Sequence, residues 1–312
     1  MNAPLLHHYP LSPYSEKIRL MFGHKRMAWL SVETPIQLPK PDLVALTGGY
    51  RKAPVLQVGR DIYCDSALIA RVLDRLAPAP PLVPTGHKAS CAAFAALEQT
   101  LFFAAVSTLF QPAGLKVLME RLGPEAMQRF AEDRARLFVG GTQSRPGPDF
   151  GRIHYLPLMN ALDRQLAESP FLLGEAPTLA DFCMAHPVWF VRGNAGIAGT
   201  LEPFHALAAW SARMAAIGHG QPSACSGEEA LAIARDCSDW QPLDGPVQEP
   251  DGVRLGMEVA LAATDYGVDP VIGRLVHASV FELVVARDDA RAGALRVHAP
   301  RAGFKVTPVA AA

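Results

Sequence analysis

The sequence predicts an α/β unit, followed by an all-helical bundle and then a small mainly-β unit. Three observations carry this reading. Strand and helix signals alternate through residue 78; a Pro-rich run then opens a stretch that is helical in pattern up to residue 217; and both composition and periodicity change from His219 onward. The expected divisions are 1–78, 85–218 and 219–312.

In the first unit, Leu5 to Tyr9 reads as a short strand, and Ser15 to His24 as a helix with Ile18, Met21 and Phe22 on one face. Trp29 to Glu33 is a second strand, and Pro41 to Leu46 a short helix ended by Gly48-Gly49. Val55–Val58 and Asp61–Cys64 flank Gly59-Arg60 and read as a hairpin. Ala67 to Leu76 is amphipathic, with Leu68, Ile69, Val72, Leu73 and Leu76 on one side. A crossover followed by a hairpin predicts a mixed sheet with helices on its faces.

After the linker Ala77-Pro78-Ala79-Pro80-Pro81, helices are predicted at 87–110, 116–122, 125–138, 153–167, 179–192 and 203–217. The Gly/Pro-rich segment 140–151 reads as an exposed loop. The last unit has a short helix at 228–235, then strand-like runs at 253–262, 273–286, 294–298 and 304–306. The β-branched stretch 271–287 is long enough to bend or carry a bulge.

Bulk properties narrow the class. The chain has 312 residues, half of them apolar and 19% charged, as expected of a globular protein. A net charge of −1 gives no electrostatic case for nucleic acid or an anionic membrane. The charge is uneven: residues 1–219 hold 21 Lys+Arg against 17 Asp+Glu, and residues 220–312 hold 8 against 13. Cys64, Cys91, Cys183, Cys225 and Cys237 form no C-x-x-C and no zinc-finger spacing, so neither a disulfide scaffold nor a metal site is expected. No signal peptide and no uninterrupted apolar run of ~18 residues is seen, so a cytoplasmic protein without a membrane span is expected.

Three local patterns can carry chemistry. Ser12, in Tyr9-Pro10-Leu11-Ser12-Pro13-Tyr14-Ser15, lies where a strand meets a helix N-terminus. Free backbone N–H groups and the helix dipole stabilise a thiolate there, and a serine hydroxyl can donate to its sulfur. The same serine is also a preferred N-cap. Pro54, ahead of a buried strand, suits a cis turn that leaves main chain at Val55 free for a peptide-like ligand; an ordinary trans proline starting an edge strand is the alternative. Asp65-Ser66 opens a helix whose N–H groups can meet a ligand carboxylate, or simply caps it. His7 and His8 are adjacent in a strand and face opposite sides, which argues against a shared metal.

Tyr9-Pro-Leu-Ser-Pro-Tyr-Ser-Glu-Lys-Ile-Arg19, Lys52-Ala-Pro-Val-Leu56 and Asp65-Ser66 together resemble the thioredoxin-like domain of the cytosolic glutathione S-transferase superfamily. Phe171-Leu-Leu-Gly-Glu175 through Thr178-Leu-Ala-Asp-Phe182 is similar to a segment of its helical second domain. Thr178 with Asp181 also makes a capping-box-like helix start on its own terms. The resemblance covers roughly residues 3–217. It implies a thioredoxin-like fold, glutathione as co-substrate, no metal and a homodimer. It places Ser12 as the serine-type hydroxyl that activates the thiol, Pro54 as a structural cis-proline and Val55 as the main chain that pairs with the cysteinyl unit. It places Asp65 and Ser66 at the γ-glutamyl end, although Glu is more usual than Asp there, and Lys52 at the glycyl carboxylate. Tyr14, Phe102 and Phe103 are the expected wall of an apolar second-substrate pocket. The function this implies is a glutathione transferase acting on an apolar electrophile. The alternative is a non-catalytic binding protein on the same scaffold. The 219–312 unit lies outside the resemblance and can form a dimer contact, cover the site or bind a partner.

Overall fold

In the computed structural model, which describes residues 3–309, the first unit follows the predicted order: β1 (Leu5–His8), α1 (Pro13–His24), β2 (Ala28–Glu33), α2 (Pro41–Thr47), β3 (Val55–Val58), β4 (Asp61–Cys64) and α3 (Ser66–Leu76). Pro13 sits at the first helical position of α1, where its missing N–H costs nothing. Strand β1 pairs in parallel with β2 and antiparallel with β3, which pairs antiparallel with β4. Helix α3 buries Leu68, Ile69, Val72 and Leu73 and turns Ala67 and Arg71 outward, the face its periodicity prescribes.

The helical region contains α4 (Lys88–Leu109), α5 (Pro112–Leu122), α6 (Pro124–Leu137), α7 (Pro148–Leu166), α8 (Leu179–Arg192) and α9 (His205–Ala216). Helices α5 and α7 begin four or five residues earlier than their apolar periodicity indicates, because Pro112 and Pro148 open them. Asp181 anchors this region. Its buried carboxylate accepts from the Thr178 and Leu172 N–H groups and from the Trp210 indole, each at 2.9 Å. Segment Thr85–Leu109 is long and apolar enough to cross a membrane by length and composition. Here it packs against α7 and α8 and carries Glu98 buried.

The remaining chain forms β5 (Gln221–Ala224), α10 (Gly227–Asp236), β6 (Glu258–Ala263), β7 (Val271–Ala278), β8 (Glu282–Asp289), β9 (Gly293–Pro300) and β10 (Phe304–Pro308). The stretch 271–287 does more than bend: it folds into the β7–β8 hairpin. The Ser279 hydroxyl accepts from the Phe281 and Glu282 N–H groups to make the turn, and a register shift lies between Leu275 and His277. Sequence periodicity misses β5, which is four exposed residues.

The last unit does not stand apart. One ten-stranded sheet runs β10-β6-β7-β8-β9-β4-β3-β1-β2-β5. Strand β9 pairs in parallel with β4, and β5 in parallel with β2, so tail strands cover both edges of the first unit's sheet. A shared core follows, in which Leu46, Val55, Ile62 and Cys64 pack with Val259, Leu275, Val285 and Val297. The new outer strands are short and carry Pro222 in β5 and Lys305 and Pro308 in β10, residues that blunt an exposed edge.

Across the β4–β9 junction lies a buried charge cluster. His298 of β9 bonds Asp61 of β4 at 2.8 Å and Glu282 of β8 at 3.4 Å, and all three side chains are 0–1% exposed. Burial works against a charged imidazole, but the two carboxylates raise the His298 pKa above its ordinary value.

Candidate functional site

The turn between β1 and α1 is held by Arg19, which is itself buried. Its guanidinium bonds the Pro10 carbonyl at 2.9 Å, the Tyr9 carbonyl at 3.4 Å, and Glu16 at 2.7 Å. Glu16 also meets His219, the first residue of the tail, at 3.0 Å. This fixes Ser12 as N-cap of α1, with its Oγ accepting the Ser15 N–H at 3.2 Å. The cap uses only a lone pair. Among the described residues, the Ser12 hydroxyl proton has no acceptor, and the residue lines a cleft.

That cleft, of about 670 Å³, runs between the first unit and the helical region. Tyr14, Lys52, Phe102 and Phe103 line it with Ser12, and α6 adds Phe130 and Leu137 to the apolar wall. Tyr14 packs at a tilt against Phe102 and His186, with centroids 4.8 and 4.6 Å apart. Behind it, Lys17 and His186 flank the buried Glu98 at 2.8 and 2.7 Å. Burial opposes the Glu98 charge, but Lys17 and His186 hold its pKa down at about 2. This trio ties α1 to α4 and α8.

A second polar group lines the cleft that the sequence reading misses, because its members come from separate segments. Arg51 and Arg134 share Asp133 at 2.9 and 2.7 Å, and Arg51 also reaches Asp269 at 3.4 Å. Lys40 lies among them, 4% exposed, and its ammonium bonds the Arg51 carbonyl at 3.1 Å. Burial first, then the neighbouring Arg134 and Arg51 charges, lower its pKa to about 8. The cluster carries more positive than negative charge in a mostly apolar cavity, an arrangement that attracts an anion.

The other expected site residues lie on separate elements. The Ala53–Pro54 peptide is cis. Val55 is fully buried and lies in register with His7 on β1 and Cys64 on β4; Ala53, on the other side of Pro54, faces the cleft. Asp65 caps α3 by accepting the Ala67 N–H at 2.8 Å, at a φ of 76° that strains any residue but glycine. The Ser66 hydroxyl accepts from Lys17 at 3.4 Å. Neither Asp65 nor Ser66 is among the residues lining the cleft. Lys52 is already engaged: its ammonium bonds the Asp265 carboxylate at 2.9 Å and the Tyr266 carbonyl at 3.0 Å. His7 is taken by Gln57, and His8 by Ser31 and Arg19. Burial lowers both pKa values to about 4, with Arg19 adding to the effect at His8. The buried thiols of Cys64 and Cys183 are pushed up by burial, which leaves them inert. Among the described residues, no cluster of three or more His, Cys, Asp or Glu has the makings of a metal site.

Comparison with known proteins bears on this geometry. The glutathione S-transferase N-terminal domain profile matches residues 6–81, and the C-terminal domain profile matches residues 125–213. A GST-like protein from Pseudomonas syringae is 37% identical over 99% of this chain and 100% of its own, with a TM-score of 0.81. The chain belongs to the glutathione S-transferase superfamily. Two further structures share the fold at lower identity. A glutathione S-transferase from Rhodospirillum rubrum F11 is 18% identical over 67% of this chain and 86% of its own, with a TM-score of 0.51. One from Methylobacillus flagellatus KT, solved with glutathione bound, is 22% identical over 71% of this chain and 100% of its own, with a TM-score of 0.50. No curated protein matches the chain. The Pseudomonas match extends through the tail of this superfamily member, whereas the other two leave about a third of the chain unmatched.

Proposed function

We propose that the cleft binds glutathione and lowers the pKa of its thiol for attack on an apolar electrophile. The observation that carries this reading is Ser12, a buried N-cap whose hydroxyl proton is free, beside a wall of phenylalanines. The Ser15 N–H polarises the Ser12 oxygen and makes its O–H a better donor. Donation to the ligand sulfur favours thiolate over thiol, and the N-terminus of α1 adds its dipole. The thiol proton leaves to solvent, the sulfur forms its new bond to the electrophilic carbon, and that carbon's leaving group takes the displaced electron pair. Rate is gained from the lowered pKa and from holding both reactants together.

The remaining contacts follow from what is free to make them. Ala53 takes the main-chain pairing with the cysteinyl unit, because Val55 lies inside the sheet. Lys40, with no carboxylate partner among the described residues, takes the glycyl carboxylate in place of the engaged Lys52. Asp65 and Ser66 remain the partners of the γ-glutamyl end. Tyr14, Phe102 and Phe103 form the electrophile wall. Homodimerisation belongs to the same proposal, on family membership alone, and light scattering reads it. The test of function is retention on immobilised glutathione, followed by conjugation of an activated aryl halide. Retention with turnover, and a thiolate absorbance whose pKa rises in Ser12→Ala, are the expected results. Binding without turnover across a broad electrophile panel leaves the non-catalytic alternative, and an unchanged thiolate pKa removes Ser12 from the mechanism.

A further inference from the structure

The β6–β7 connection is not a tight hairpin turn. Residues 264–268 leave the sheet and thread between the first unit and the helical region. The Thr264 and Asp265 carbonyls accept from the Thr142 and Gln143 N–H groups at 2.9 Å each, and the Gly267 N–H donates to the Leu137 carbonyl at 2.6 Å. Tyr266 stacks on Phe138, with centroids 5.1 Å apart and planes 19° apart, and presents its edge to Phe103. Gly267 has a φ of 60°, and an added Cβ would meet the Leu137 and Lys52 side chains at 3.0 and 3.4 Å. This strap is therefore closely fitted on both sides.

Its contacts have the chemistry of a bound ligand. The Asp265 carboxylate lies between the Lys52 ammonium at 2.9 Å and the Gln99 amide at 3.3 Å, and the next carbonyl, of Tyr266, lies on the same ammonium at 3.0 Å. A carboxylate and an adjacent peptide carbonyl on one cation are the groups a short acidic peptide presents. The strap lies on the side of the cleft toward α3: Asp265 bonds Gln99 of α4 at 3.3 Å, and the adjacent Glu98 holds Lys17, which reaches the Ser66 hydroxyl at the start of α3 at 3.4 Å. Asp65 and Ser66 do not line the cleft, whereas Tyr266 does.

We infer that strap residues Asp265 and Tyr266 are an internal occupant of the γ-glutamyl end of the cleft, which a thiol peptide must displace to reach Asp65 and Ser66. This rests on the glutathione reading above and adds a specificity determinant to it. A thiol lacking the γ-glutamyl arm binds beside the closed strap, whereas glutathione binds only the fraction of molecules in which the strap is open. Its apparent affinity is reduced by that fraction.

Calorimetry of glutathione and of cysteinylglycine on the unaltered protein and on Asp265→Asn tests this. Loss of one ion pair of this kind changes an equilibrium by about five-fold. Asp265→Asn is therefore expected to bind glutathione about five-fold tighter and cysteinylglycine unchanged. Hydrogen exchange on the unaltered protein provides a second readout that needs no variant. Saturating glutathione should speed exchange at the Thr142, Gln143 and Gly267 amides, and cysteinylglycine should not. Equal or weaker glutathione binding by the variant, or exchange at those amides that is unchanged or slowed by bound glutathione, overturns the inference while leaving the glutathione reading intact. Glutathione binding to neither protein removes both.

Discussion

Replacing His298 with leucine removes the imidazole held between two buried carboxylates, and its cost can be worked from their remaining partners. Asp61 keeps the Gln241 N–H at 2.8 Å and a distant Arg296 at 3.9 Å. Glu282 keeps the Asp244 N–H at 3.1 Å. One backbone donor apiece does not compensate a buried charge, so the expected loss is about 3–5 kcal/mol, the range for breaking a buried ion pair from one side. In a urea titration that is a midpoint lower by about 1 M or more. His298→Gln, which keeps a donor for Asp61 but no charge, should fall between the two. The pH dependence has a definite sign. Because the folded pKa is raised above the ordinary 6.5, this contribution is complete below 6.5 and fades as pH rises through the folded value. The unaltered protein should therefore lose more of its stability on the alkaline side than His298→Leu does. A cost below about 1 kcal/mol, or the same alkaline slope in both proteins, would refute the reasoning.

Other outcomes follow from the same structure. Lys17→Met leaves Glu98 buried with His186 alone and should cost about 3–5 kcal/mol in a thermal melt; adding Glu98→Gln should recover much of it. Burial depresses the His7 pKa to about 4, so its contribution is present above 6.5 and is lost as pH falls toward 4, about 3 kcal/mol in all. His7→Asn should flatten that acid limb in urea midpoints taken across the range. Ser12→Cys places a thiol at the N-terminus of α1, where its pKa falls. It should form a mixed disulfide with oxidised glutathione, releasing one glutathione and read as a mass shift on the peptide that carries residue 12, which stays unmodified in the serine protein; Cys225 and Cys237 are half-buried free thiols in both.

Much of the first unit was legible because its signals are local. Gly48-Gly49, Gly59-Arg60 and the apolar spacing of 67–76 each mark an element within a few residues. Non-local pairing carries no such mark. Nothing in Ala294–His298 announces a parallel ladder with Asp61–Tyr63, and β5 is too short and polar to show a period. At the site, Ser12, Tyr14, Lys52, Phe102 and Phe103 do line one cleft. Val55 does not, because it lies within the sheet between β1 and β4, whereas Ala53, ahead of the strand, lines the cleft. Lys40, Arg51, Asp133 and Arg134 meet only through the tertiary fold, and the strap engages Lys52 from 213 residues away.

The order in which the sheet is assembled has a consequence for biosynthesis. When a ribosome has made the first 218 residues, β4 and β2 each have one unpaired side, and the strands that will cover them have not yet been translated. Open strand edges recruit other chains, and partly made proteins aggregate through them. The nascent chain is thus exposed longest at the two places where its finished form is best protected. A product cut short in the last unit should go to inclusion bodies or chaperones rather than persist as a smaller folded protein.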